Sequence, residues 1–180
     1  MININTIASI ADNFNKYRNN DSELIAALNS ISKDQIKKQL ETYKERDSIE
    51  KVVKIRYKLL EHLTANSIDE NTLNSIKESV VKEYPNTKIL QNWKNFGLCY
   101  KLIYFEYEDE VYSYFEKLIN EIIEKLSLTD LVKYRIVDFN GPQNNGYDES
   151  WFAIYNKNHD SQKTALQLFC EIKGNEDVRF

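Results

Sequence analysis

Glycine and proline are scarce in this chain, at 4 and 2 residues of 180. That scarcity excludes collagen-like and linker-like readings and leaves few places where the backbone is invited to turn sharply. The two cysteines, Cys99 and Cys170, stand in apolar sequence, with no CxxC spacing and no histidine cluster beside them. A disulfide framework and a thiolate metal site are both without support, and buried free thiols are the expectation. No apolar run approaches the roughly 18 residues of a membrane span, and no basic segment leads into an apolar one at the amino terminus. The expected location is therefore cytoplasmic. The chain also lacks a GxxxxGK[ST] phosphate loop and a GxSxG nucleophile frame. With His159 beside Asp160 read as turn chemistry, neither a catalytic residue, a metal site nor a cofactor is expected, and the chain reads as a non-enzyme.

What is present is ordinary globular material: 42% hydrophobic residues, 29% charged residues and a net charge of −4. One domain, or one domain with a small appendage, fits 180 residues. Apolar residues recur at helical spacing along most of the chain. Ile7, Ile10, Ala11, Phe14 and Tyr17 mark a first helix, and Leu24, Leu28 and Ile31 a shorter one. Ser32 with Gln35 has the form of a capping box opening a helix with Ile36, Leu40 and Tyr43. Asp47 with Glu50, and Ser67 with Glu70, are read as two further caps, ahead of stripes through Leu59, Leu60 and Leu63 and through Leu73, Ile76 and Val80. From Thr87 to Tyr104 a broad apolar face with Trp93, Phe96 and Tyr100 predicts a central helix. A last helix carries Val111, Phe115, Ile119 and Ile122, with carboxylates at its start favouring the helix dipole.

From Arg135 onward the pattern changes. Ile136, Val137 and Phe139 lead into a turn-rich loop, Asn140 to Ser150, followed by the apolar runs Trp151 to Tyr155 and Thr164 to Ile172 with a polar stretch between them. Asn175 to Asp177 reads as a hairpin turn, with Val178, Arg179 and Phe180 starting a returning strand. The expected fold class is α+β: a helix-rich amino-terminal part, 1–130, packed on a small, mainly antiparallel carboxy-terminal sheet, 131–180, that continues in a longer parent chain.

The loop with Phe139, Gly141 and Gly146, the strand Trp151-Phe152-Ala153-Ile154, the polar loop after it and Leu168-Phe169 on the next strand together resemble the amino-terminal DNA-recognition domain of McrB-type restriction GTPases. The resemblance covers about the last 45 residues. It implies a DNA-binding specificity module that reads modified cytosine, placed ahead of an AAA+ motor that works with a nuclease partner. Trp151 matches the family's tryptophan and would wall a base pocket, and the position of the family's pocket tyrosine falls near Thr164. Stacking on a base requires an aromatic wall, a loop entering the duplex and cations facing phosphates. Asn144, Asn145 and Tyr147 supply such a loop; Arg135, Lys157 and Lys163 supply cations; Tyr155 and His159 complete the candidate DNA-binding set.

Trp151 and Phe152 alternate along one strand, so one of them faces the core and the other does not. The negative net charge runs against a uniformly basic surface, but acids gather between Glu106 and Glu124 while Lys51, Lys54, Arg56 and Lys58 are locally basic. The alternative reading is a helical protein-interaction or oligomerisation domain without nucleic-acid binding, in which the helices of 1–128 dock a partner or form an oligomer; an exposed apolar stripe on the Thr87 to Tyr104 helix would favour it.

Overall fold

A computed structural model of the chain describes residues 2–44, 51–141, 145–174 and 177–179. The fold is α+β, with the helices amino-terminal and an antiparallel sheet carboxy-terminal. The chain divides into two compact units: residues 16–105 form one, and residues 1–15 together with 106–180 form the other. The expected division at residue 130 compares with unit boundaries after Asn15 and after Phe105. The cap proposed at Asp47 with Glu50 and the turn at 175–176 lie outside the described residues.

In the helical unit, α2 (Asp21–Asn29), α3 (Lys33–Lys44), α4 (Lys51–Ala65), α5 (Glu70–Glu83), the short α6 (Lys88–Asn92) and α7 (Asn95–Tyr104) follow one another. Helix α4 sits centrally, with α3, α5 and α7 as neighbours, and buries Ile55, Leu59, Leu60 and Leu63. The Ser32 capping box forms in both directions: Gln35 N–H donates to Ser32 Oγ at 3.2 Å, and Ser32 N–H donates to Gln35 Oε1 at 3.4 Å. The α5 start differs from the sequence reading. Asp69, not Ser67, is its cap, accepting from Thr72 N–H at 2.7 Å, because the preceding backbone is held by Asn29. The Asn29 side chain donates to Ile68 O and accepts from Ile68 N–H, both at 2.8 Å, which fixes Ile68 outside the helix. The single helix expected over 87–104 is broken between α6 and α7, where Lys94 is extended and Lys77 Nζ donates to Trp93 O.

The locally basic stretch of α4 does not make a free cationic face. Arg56 is only 6% exposed and donates to Leu98 O at 2.7 Å and to Gly97 O at 3.3 Å, with its guanidinium over the Tyr100 ring. Lys54 pairs with Glu83, an interaction that raises the lysine pKa. The apolar stripe of α7 is likewise spent internally, with Phe96, Leu98, Cys99, Tyr100, Leu102 and Tyr104 buried. Burial pushes the Cys99 thiol up to about 12, and that of Cys170 in the other unit up to about 11, so neither is poised as a nucleophile.

The second unit combines residues of α1 (Ile4–Asn19) up to Asn15 with α8 (Glu108–Lys125) and a four-stranded meander, β1 (Val132–Val137), β2 (Glu149–Asn156), β3 (Gln167–Lys173) and β4 (Asp177–Arg179). All neighbouring strands are antiparallel. One face of the sheet meets α8: Phe152 packs edge-on against Phe115 at 5.6 Å, and Tyr134 Oη donates to Glu116 Oε1 at 3.0 Å. Helix α1 is held to the same unit by Phe14 against Phe139 at 5.5 Å and by a close approach to Gly174. A Cβ on Gly174 would lie 2.6 Å from Ala11 O and 2.8 Å from Asn15 Cβ. Those atoms belong to helix backbone and its immediate side-chain root, which have little freedom to withdraw. Gly174→Val should therefore destabilise the protein by about 1–3 kcal/mol, the usual cost of overpacking, measured as a lowered Tm in thermal unfolding followed by circular dichroism. An unchanged Tm would mean that α1 does not dock there.

Candidate nucleic-acid interface

Strand alternation builds the site. Ser150, Phe152 and Ile154 of β2 point toward α8 and are buried, so Trp151 and Ala153, with Glu149 and Tyr155, point to the opposite face. The register carries that assignment across the sheet: Arg135 pairs with Ala153, which pairs with Phe169, and Lys133 pairs with Tyr155. Val137, Trp151, Glu171 and Arg179 form the adjacent row.

The side chains on this face associate closely. The Trp151 and Phe169 ring centroids are 5.6 Å apart with their planes tilted by 40°, and the Arg135 guanidinium lies 5.8 Å from the Trp151 ring. Lys133 Nζ sits 5.4 Å from the Tyr155 ring. Ala153, between these larger neighbours, is fully buried beneath them, whereas Trp151 and Phe169 remain part-exposed and Arg135 is exposed. Cation and ring attract through the ring quadrupole, and Arg135 and Trp151 both remain presented to solvent, whereas Tyr155 is buried. At the end of the sheet nearest the β1–β2 loop, Lys173 and Glu149 pair at 3.1 Å, which raises the lysine pKa and satisfies its charge within the face.

The β1–β2 loop closes on itself through Gly146 N–H to Asn140 O at 3.0 Å and Tyr147 N–H to Phe139 O at 2.9 Å. Gly141 has φ +64°, and a Cβ there would fall 2.8 Å from Tyr147 Cβ, so this glycine both permits the left-handed turn and makes room for the tyrosine. Asn140 is anchored by its side chain donating to Glu108 Oε1 at 2.8 Å. The loop thereby brings Tyr147 to the same cavity as Arg135 and Trp151, a concavity of about 450 Å³ whose rim also includes Asp138, Asn140 and Glu149. Asn145 contributes a buried Oδ1 that has no hydrogen-bond partner among the described residues. Asn144 lies outside the described residues.

The remaining candidates are elsewhere. Tyr155, only 8% exposed, and His159 line a different cavity of about 590 Å³ at the opposite end of β2, with Leu166 and Leu168. Trp151 and Tyr155 are separated by about 13 Å along the strand, at roughly 3.3 Å per residue. Lys157, Lys163 and Thr164 are exposed in the β2–β3 connection, where Thr164 Oγ1 donates to Ser161 O at 3.1 Å across a short 3-10 turn, Gln162–Thr164. None of these three lines the Arg135–Trp151 cavity. Lys133 and Phe169 were not singled out from the sequence as contact residues. The alternation Lys133-Tyr134-Arg135 carried the signal for Lys133, since residues two apart on a strand share a face.

No group of three or more metal-ligating side chains occurs among the described residues, and no helix of the described residues is long and apolar enough to cross a membrane. No family model matches the chain, and neither the curated proteins nor the solved structures compared with it give a significant match.

Trp151 and Phe152, adjacent on β2, should respond unequally to truncation. Phe152→Ala empties a buried site against α8 and should cost about 3–5 kcal/mol, whereas Trp151→Ala removes a part-exposed ring from the other face and should cost less than half as much, measured by urea denaturation. Equal losses would show that Trp151 is also a core residue.

Proposed function

We propose that this chain is a DNA-binding specificity module whose contact surface is the sheet face bearing Arg135, Trp151 and Phe169. The observation that carries the reading is the Arg135–Trp151–Phe169 cluster beside the cavity that Tyr147 shares. Large rings kept at the surface next to unsequestered cations suit a ligand that offers both planar bases and phosphates. The acidic α8 lies on the other side of the sheet, while on this face Glu149 is paired with Lys173 and Glu171 stands beside Trp151. In the finer form of the proposal the module belongs to a restriction or defence protein of the McrB-like kind, reads modified cytosine, and acts with an AAA+ motor and a nuclease through a longer parent protein. On this reading the chain itself binds and does not catalyse.

The reading as a helical interaction domain gains no support from α7, whose Phe96, Leu98, Cys99, Tyr100, Leu102 and Tyr104 are buried. A different observation keeps a partner surface open: Leu166 is 97% exposed and Leu168 41% exposed beside the second cavity.

The proposal is tested by fluorescence anisotropy with matched duplexes containing cytosine, 5-methylcytosine or 5-hydroxymethylcytosine at two salt concentrations. Salt-sensitive binding that weakens at least tenfold in Arg135→Glu and in Trp151→Ala is expected, with the modified duplexes bound more tightly. Equal affinity for all duplexes would remove the modification preference, and failure to bind any nucleic acid at low salt would remove the DNA-binding proposal.

A further inference from the structure

We infer that the open sheet face takes single-stranded nucleic acid, stacking unpaired bases on Trp151 and Phe169, in preference to a duplex; the inference rests on the nucleic-acid reading above. The two rings project from β2 and β3, the central strands of the four, and flank the buried Ala153. In a duplex the faces of the bases are occupied by neighbouring bases, and only edges and phosphates are offered. An aromatic platform on a sheet can use its ring faces only on bases that are not so stacked.

The spacing of the groups favours a platform over a slot. Inserting one planar base between two flat groups requires them to stand about 7 Å apart, twice a van der Waals separation of about 3.5 Å. The Trp151 to Phe169 distance is 5.6 Å with a 40° tilt, and Arg135 is 5.8 Å from the tryptophan ring. As they stand, these groups present outer ring surfaces and no slot between them. Bases laid across the outer surfaces of the rings need none, and successive bases of one strand can follow the diagonal from Trp151 on β2 to Phe169 on β3.

The cations on this face suit a single backbone. Arg135 projects from the neighbouring strand β1 over Trp151 and Lys133 from the same strand over Tyr155, while Lys173 is already paired with Glu149. Two phosphate contacts on a single strand correspond to a slope of about −1.4 in the logarithm of affinity against the logarithm of salt concentration. That slope is shallow, as befits binding dominated by stacking. The base face and the phosphate are common to DNA and RNA, so sugar identity is left to the experiment.

The test titrates the chain with fluorescein-labelled 12-nucleotide oligo-dT, 12-nucleotide oligo-U and a duplex of the same length, following anisotropy. In a Trp93→Phe background Trp151 becomes the sole tryptophan, and its emission is followed with unlabelled strands. Expected are binding of at least one single strand ten or more times tighter than the duplex, quenching of Trp151 emission, a shallow salt slope, and a loss of about 5- to 150-fold in Phe169→Ala. Arg135→Gln, at an exposed position, supplies a second variant whose fold does not depend on the removed ring and should also weaken binding. Duplex binding equal to or tighter than that of both strands would overturn the inference while leaving the nucleic-acid reading in place. Binding of neither form would overturn both.

Discussion

The packing of Phe152 against α8 is the constraint on which the sheet unit depends. Phe152 locks against Phe115 of α8 while Tyr134 binds Glu116 on the same helix, and Gly174 lets α1 approach within what would be contact distance of a side chain. Because strand residues alternate, committing Phe152 to the helices commits Trp151 to the opposite side. The antiparallel register then extends the choice to three strands, placing Arg135 from β1 and Phe169 from β3 beside it and Lys133 further along the same face, beside Tyr155. A one-residue slip of β2 would exchange the faces, burying tryptophan and exposing phenylalanine, so burial of Phe152 also specifies the composition of the open face.

Charge follows the same division. The chain carries a net charge of −4, yet the carboxylates of the first turn of α8, Glu108, Asp109 and Glu110, belong to the helix on the covered side. On the open face Lys173 and Glu149 neutralise one another, Lys133 and Arg135 lie over aromatic rings, and Glu171 stands beside Trp151. Net charge therefore describes the whole molecule poorly at the scale of this surface. The helical unit has a separate economy of polar groups: Arg56 and Gln39 are buried by donating to backbone carbonyls, at Leu98 and Gly97 for the arginine and at Leu102 for the glutamine. Hydrogen-bonded in this way, such groups tie helices together without forming a binding surface.

Much of the helical architecture was legible because its signal is local. Ile7, Ile10, Ala11 and Phe14 are buried as their spacing predicts, and Ser32 with Gln35 forms the reciprocal cap that its pattern announces. What the sequence concealed depended on distant partners. Asn29 holds Ile68 from 39 residues away and so moves the α5 cap to Asp69, and Lys77 holds the carbonyl at the break between α6 and α7. The same limit applies to the site. Arg135, Tyr147 and Trp151 line one cavity, but β2 carries Tyr155 to its other end, and His159, Lys163 and Thr164 lie beyond it in the connection to β3. Residue type alone suggested one cluster, whereas strand length separates it into two.

The most direct measurement of the central claim is a map of backbone amide and tryptophan indole chemical-shift changes as a 12-nucleotide oligonucleotide is added to the isotopically labelled chain. The account predicts that the changes concentrate on Lys133 to Val137, Trp151 and its indole, Phe169 and Tyr147, with α8 little affected. Changes concentrated on α8 or the helical unit, with the Trp151 indole unmoved, would contradict it.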